Sequence, residues 1–270
     1  MSDITAVSVE VLAVKQWADT LFSFRVTRPQ GLKFTAGQFV RLGMKPSELQ
    51  HFAEVCMNES VSDELIFRAY SVVSSPYDEF VEFFSVVIPD GALTAKLQYL
   101  QVGDHLYLNT TPFGFLTLAR YQAPLPKDLW LLATGTGLAP FLSILKTLEV
   151  WEQYREIVLV YSARTCQELA YLDEIHTLQA TYSEANGANF RFIPIITREP
   201  NFAGLTERLP VLIANGQLEQ EAGLTFDPAS SHIMLCGNPQ MVEDTKEALK
   251  ARGLTMNRRG EGNIAVENYW

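Results

Sequence analysis

Arg68-Ala69-Tyr70-Ser71 places a planar cation, an aromatic face and a hydroxyl within one short stretch. Such a set can hold a phosphate, stack on a flat ring and donate a hydrogen bond to it. The tetrad ends one strand-like run, Glu64-Leu65-Ile66-Phe67, and opens another, Val72-Val73-Ser74-Ser75. Side chains alternate along a strand, so Arg68 and Tyr70 share a face while Ser71 points the other way unless the chain kinks. By itself an Arg-x-Tyr-Ser on a strand is most often an ordinary half-exposed edge. Its meaning depends on what else the chain supplies.

A second candidate lies in the other half. Ala133-Thr134-Gly135-Thr136-Gly137-Leu138-Ala139-Pro140 joins an apolar run to a helical one. Glycines there let the backbone approach a ligand, and a helix N-terminus offers N–H groups and the positive end of a dipole. A pyrophosphate is the natural occupant; the alternative is a tight strand-to-helix turn with no ligand. No Gly-Lys-Ser/Thr follows, which excludes a Walker loop. The next apolar run ends in Tyr161-Ser162-Ala163-Arg164, where an NAD-preferring fold commonly carries an acid for the ribose hydroxyls. A guanidinium suits the 2′-phosphate of NADP instead. Arg198, in Thr197-Arg198, and Arg208, in Gly204-Leu205-Thr206-Glu207-Arg208, can converge on the same place, although each arginine alone is ordinary surface.

Back in the first half, Pro89-Asp90-Gly91-Ala92-Leu93-Thr94 closes a strand-like run. Its amides and the Thr94 hydroxyl can receive another pyrophosphate, with Arg68 as counter-ion; equally, Thr94 can cap a helix after a β-turn. The chain closes on Tyr269-Trp270, two aromatics that pack on a surface patch or cover flat rings.

Other chemistry is thinly supplied. Cys56, Cys166 and Cys236 are odd in number and far apart, so they make neither a disulfide framework nor a Cys-x-x-Cys cluster. His51, His105, His176 and His232 show no ligand spacing, and no metal is expected. Redox chemistry would therefore come from an organic cofactor. The formal charge of −10 argues against nucleic acid as a partner. A local basic patch on an acidic chain can still meet an acidic protein; Arg258-Arg259 is one candidate, though adjacent arginines are usually just solvated. No run approaches the roughly 18 apolar residues of a membrane span, and Met1-Ser2-Asp3-Ile4 lacks a basic region and an apolar signal core. The expectation is a cytoplasmic protein without membrane association.

At 270 residues, 47% of them hydrophobic, the chain has room for two cores. Up to about Leu118 it reads as short strands: Val7 to Val11, Phe22 to Val26, Gln38 to Leu42, Leu65 to Val73, Phe80 to Ile88 and Leu106 to Asn109. Pro29-Gln30-Gly31, Pro89-Asp90-Gly91 and Gly103-Asp104 supply turns between them. That pattern implies a closed antiparallel barrel or a sandwich. Thr94 to Leu100 is the one expected helix there, and Met44 to Asp63 reads as a surface loop. We place a β-domain at 1–121, a Pro-bearing linker at 122–127 and a second domain at 128–270. In that second domain Asp128 to Thr134, Ile157 to Ser162, Phe190 to Thr197 and Ile233 to Cys236 are unbroken apolar runs, as buried parallel strands require. Helical patterns over Pro140 to Trp151, Gln167 to Ala180 and Pro239 to Ala251 alternate with them, the last with Asn238 as N-cap. Strand alternating with helix means an α/β sheet with right-handed crossovers.

Taken in order, Arg68-Ala69-Tyr70-Ser71, Pro89 to Thr94, Gly135 to Pro140, Cys236-Gly237-Asn238-Pro239-Gln240-Met241 and Tyr269-Trp270 resemble the ferredoxin/flavodoxin–NADP(+) reductase family in its bacterial form. The resemblance runs along nearly the whole chain. It implies an α+β two-domain protein: an N-terminal antiparallel Greek-key β-barrel for FAD and a C-terminal Rossmann-like α/β domain with a parallel sheet for NADP, with catalysis at their junction. On the FAD side it assigns Arg68 to the pyrophosphate, with Ala69 beside it, Tyr70 to stacking on the isoalloxazine, Ser71 to the neighbourhood of flavin N5, and Ala92, Leu93 and Thr94 to the phosphate cradle. Thr136 falls near the flavin, Tyr269 covers its other face and Trp270 packs on adenine. On the NADP side it assigns Gly135, Thr136 and Gly137 to the nucleotide loop, Ala163, Arg164, Thr197, Arg198 and Arg208 to the 2′-phosphate region, and Asn238, Pro239 and Gln240 to further contacts. Cys236 sits where the nicotinamide approaches, which makes Ser71, Cys236 and Tyr269 the implied catalytic set.

Two departures stand out within the resemblance. The Met44 to Asp63 loop is longer than in compact bacterial members, and Phe84 stands where a Tyr is usual, which removes a hydroxyl from the FAD site. The implied activity is electron transfer between NADPH and a small acidic carrier, ferredoxin or flavodoxin, with Tyr269 shifting to admit the nicotinamide. An NAD(P)H-dependent flavin or oxygenase reductase of the same architecture, and a flavin-binding subunit without turnover, are the alternatives.

Overall fold

Alternating apolar residues make β1 (Ala6–Ala18) and β2 (Leu21–Thr27) an antiparallel pair with Val14 opposite Phe24. In this computed structural model, residues 6–49, 51–52, 64–121, 127–183 and 187–268 are described. Together with β3 (Phe39–Met44), β4 (Ile66–Ser71), β5 (Phe80–Val86) and β6 (His105–Asn109), the pair builds a six-stranded sheet of order β4-β3-β6-β1-β2-β5. β6 returns between β3 and β1, a Greek-key connection. Val72 bridges Phe83, and the Val73 N–H donates to the Glu82 carbonyl at 2.9 Å, so the two outer strands meet. The result is a closed barrel rather than a sandwich. Its core contains Val11, Phe22, Phe24, Leu42, Tyr70, Phe83, Leu93 and Leu108. The expected helix after Gly91 is shorter than its pattern suggested: α1 spans Thr94–Leu97.

The second sheet is parallel throughout, with order β11-β10-β7-β8-β9. Its strands are β7 (Asp128–Thr134), β8 (Glu156–Ala163), β9 (Asn189–Ile196), β10 (Ser231–Gly237) and β11 (Ile264–Asn268). β10 is buried along its whole length, as a strand covered on both faces must be. β11 was not anticipated from the sequence, nor were α5 (Leu209–Ala214) and α6 (Gln217–Ala222). The expected helix 140–151 is two helices, α2 (Ala139–Leu145) and α3 (Leu148–Gln153). The break is stabilised by side chains that take the last carbonyls of α2: the Thr147 hydroxyl donates to Ile144 O at 2.7 Å and the Trp151 indole to Leu145 O at 2.8 Å. The pattern over 167–180 likewise starts late, at α4 (Leu172–Leu178), after Tyr171 in the left-handed region at φ 62°. α7 (Pro239–Ala251) matches its signals, with Asn238 Oδ1 accepting the N–H groups of Gln240 and Met241.

The chain divides into two compact units between Gly114 and Phe115, earlier than the 121 boundary read from the sequence. The physical reason is that the intervening segment is bonded to the second unit. Tyr121 is buried and its hydroxyl lies 2.9 Å from Ile233 O and 3.1 Å from Asn263 O, while Arg120 Nη2 donates to Asn257 O at 3.0 Å. Residues 122–126 of the expected linker lie outside the described residues.

Candidate functional site

In the first unit the tetrad occupies the end of β4. Arg68 and Ala69 are exposed, whereas Tyr70 and Ser71 are both buried. Strand alternation alone would bury only one of them. Both are covered because the chain changes partner here: Ser71 is opposite Phe39 of β3, and the next residue, Val72, is bonded to Gln38 and bridged to Phe83. Tyr70 meets Phe24 and Phe83 edge-on, at centroid distances of 6.3 and 5.9 Å, and its hydroxyl lies 3.1 Å from Ser85 Oγ. Burial pushes its phenol up to about 12, so it stays neutral. Ser71 Oγ is buried and has no hydrogen-bond partner among the described residues. A buried hydroxyl in that condition is ready to bond a ligand.

Around α1 the structure is more ordinary. Leu93 is buried in the same barrel core as Tyr70, while Ala92 is exposed. Thr94 does not cap the helix; its Oγ1 accepts the Ile88 N–H at 3.3 Å, and a Cβ on Gly91 would strike that hydroxyl. Phe84 is buried on β5 opposite Ser23, an apolar wall without a hydroxyl, as its residue type requires.

In the second unit, β7 and β10 are neighbours although β8 and β9 lie on one side and β11 on the other. This is the topological switch point of the sheet, where an open α/β fold leaves a crevice for ligands. Gly135, at φ 52°, turns the chain there, and Thr136 and Gly137 are buried. Gly137 touches the other wall: a Cβ on it would strike the Cys236 carbonyl. The Asn238 N–H donates to Thr134 Oγ1 at 3.1 Å, tying the two strand ends together. Asn238 and Gln240 are exposed and Pro239 half-buried at the crevice rim, while Cys236 is fully buried on β10.

One strand further along, Ala163 ends β8 and Arg164 follows, exposed. The Thr197 N–H donates to Ala163 O at 3.1 Å and the Arg198 N–H to Arg164 O at 2.8 Å, so Arg164 and Arg198 emerge side by side. Leu205 rejoins the sheet edge parallel to Ile195, and the chain then reaches Arg208 on the same C-terminal side. A cleft of about 470 Å³ lies against this edge, lined by Cys166, Arg198 and Glu199 to Ala203. Cys166 is exposed, and the Glu199 carboxylate beside it raises its thiol above the ordinary range.

Over 266 residues the chain is 38% identical to the flavodoxin/ferredoxin–NADP reductase of Escherichia coli K12, covering 98% of each chain. It belongs to the flavodoxin/ferredoxin–NADP reductase family. A second relative of that name, from Buchnera aphidicola subsp. Baizongia pistaciae, is 36% identical over 98% of this chain and 99% of its own. The oxidoreductase NAD-binding domain model matches residues 131–247, which hold the switch-point crevice and the arginines. Among solved structures, a ferredoxin NADP+ reductase from Neisseria gonorrhoeae with bound FAD and NADP superposes with a TM-score of 0.84 at 37% identity, covering 97% of this chain and 98% of that one.

Two acids of this family member escaped the sequence reading. Glu267 on β11 is half-buried opposite Cys236, its buried Oε2 has no partner among the described residues, and desolvation lifts its carboxyl to about 7. The apolar run Ile264-Ala265-Val266 that carries it was the available signal. Glu168 folds back onto Arg164, a feature only the loop geometry reveals. Tyr269 and Trp270 lie outside the described residues.

Proposed function

We propose that the protein is an FAD-dependent oxidoreductase that moves electrons between NADPH and ferredoxin or flavodoxin. The observation that carries this reading is the buried Ser71 hydroxyl with no partner, at the end of the segment that also presents Arg68 and Tyr70. Leaving such a group unsatisfied costs about 1–3 kcal/mol, which a bound ligand with a matching polar atom would relieve. FAD fits: Arg68 would face its pyrophosphate with Ala69, Ala92, Leu93 and Thr94, Tyr70 would offer an aromatic surface to the isoalloxazine, and Phe84 would add apolar wall. When bound, FAD supplies the conversion between hydride transfer from NADPH and single-electron delivery to the carrier.

The remaining roles fall to the second unit and the tail. Gly135, Thr136 and Gly137 would admit the nucleotide backbone, with Asn238, Pro239 and Gln240 at the rim. Arg164, Arg198 and Arg208, beside Ala163 and Thr197, would hold the 2′-phosphate. Cys236 would border the nicotinamide, Tyr269 would cover the flavin ring and yield to the nicotinamide, and Trp270 would pack on adenine. No described helix is long and apolar enough to cross a membrane, and we place the protein in the cytoplasm. The test is direct. Purified protein loaded with FAD should be yellow, be bleached by NADPH and not by NADH, and reduce cytochrome c only when ferredoxin or flavodoxin is added. Protein that gains no flavin spectrum, or that NADH bleaches as readily, would overturn the reading.

A further inference from the structure

Past the end of β8 the chain makes a tight turn back on itself. One carboxylate oxygen of Glu168 accepts the Arg164 backbone N–H at 3.0 Å, and the other forms an ion pair with Arg164 Nη2. The Glu168 side chain is 13% exposed and that of Arg164 is 47% exposed, so the carboxylate is the sheltered member of the pair. Glu168 is itself anchored to the sheet: its carbonyl accepts the hydroxyl of buried Tyr161 at 3.1 Å and the Ala170 N–H at 2.9 Å. Arg164 O in turn accepts the Arg198 N–H. Arg164 is thus held at its amide, its carbonyl and its guanidinium, twice by the same carboxylate.

This differs from a solvated i,i+4 pair on a helix, which holds neither member's backbone. An acid at this end of the second strand of an α/β nucleotide domain ordinarily faces ribose hydroxyls. Here the acid comes later in the chain, and both of its oxygens turn to the arginine. A guanidinium has five N–H donors, more than one carboxylate can engage, and the Arg164 side chain is about half exposed. A pre-ordered cation binds a dianion at a smaller cost in side-chain freedom than a mobile one.

We propose that Glu168 is a positioning residue for coenzyme selection, clamping Arg164 so that it presents an ordered guanidinium to the 2′-phosphate. The proposal deepens the NADPH reading above and rests on it. Its test is equilibrium binding of 2′,5′-ADP and of 5′-AMP, which differ only by that phosphate, to the full-length FAD-loaded protein. Glu168→Ala should weaken 2′,5′-ADP about tenfold and leave 5′-AMP within about twofold, with Glu168→Gln in between because its amide oxygen keeps the backbone bond. Adding Glu168→Ala to Arg164→Ala should cost little more, since the clamp acts through that arginine. Equal weakening of both nucleotides would mean a merely structural role and would overturn the proposal. Tighter binding of 2′,5′-ADP would also overturn it, since the carboxylate would then be repelling the phosphate. Wild-type protein that binds 2′,5′-ADP selectively but is not reduced by NADPH sinks the functional reading alone and leaves the clamp standing.

Discussion

Cys236 and Glu267 stand opposite each other in the parallel register of β10 and β11. The pair sits at the C-terminal ends of the two strands, next to the switch-point crevice. Burial is the cause of the raised carboxyl, which titrates near 7. A carboxyl that holds its proton more tightly folded than unfolded contributes stability below the unfolded value, and that contribution is lost as pH rises through about 7. The loss is on the order of 3 kcal/mol. Glu267→Gln should therefore match wild type near about pH 4 and exceed it near about pH 8 in urea unfolding. Parallel pH profiles for the two proteins would show that the carboxylate is solvated or paired.

Ser71 offers a test that separates ligand binding from folding. Its buried oxygen has no partner among the described residues, so Ser71→Ala should leave the stability of the flavin-free protein unchanged or raise it. The same change should slow bleaching of bound FAD by NADPH by about tenfold or more, which corresponds to about 1.4 kcal/mol. Stopped-flow reduction and urea unfolding read the two effects. A destabilised variant with undiminished reduction would assign Ser71 to the barrel and not to the flavin.

Gly137 is where two strand ends come into backbone contact. Gly137→Ala would drive a methyl into the Cys236 carbonyl and push the walls of the crevice apart. We expect a loss of about 1–3 kcal/mol in unfolding free energy together with a higher KM for NADPH. Wild-type values of both would show that the loop can shift at no cost.

Tyr121 tests the division of the chain. Its single hydroxyl proton is shared between the Ile233 and Asn263 carbonyls, and Tyr121→Phe removes that shared bond while keeping the ring stacked on His232 at 3.5 Å. A cost of about 1–2 kcal/mol in stability is expected, without a change in the flavin spectrum. A spectral change would tie this segment to the FAD site.

Much of the architecture was legible because burial leaves periodic marks. The unbroken apolar runs of β7, β8 and β10 could only be covered strands, and Asn238-Pro239 marked the start of α7. The interrupted helices were not legible. Thr147, Trp151 and Tyr171 decide those breaks through hydrogen bonds and a left-handed backbone that helix periodicity does not encode. β11 was missed because a short edge strand finds its partner, β10, only after the long helix α7 has crossed over.

By itself the sequence determined which groups are available: an arginine, an aromatic ring and a hydroxyl in one tetrad, glycines after a buried strand, and arginines beyond the strand ends. Those are matters of residue type and order, and order alone sets which strand end each group follows. Only the tertiary structure decided what state those groups are in. Barrel closure buried the Ser71 hydroxyl without a partner among the described residues, the β10–β11 register set Glu267 opposite Cys236, and the loop after β8 turned Glu168 onto Arg164. Burial and pairing depend on neighbours distant in sequence, or on loop conformations that no periodicity specifies, and both arise only when the chain packs.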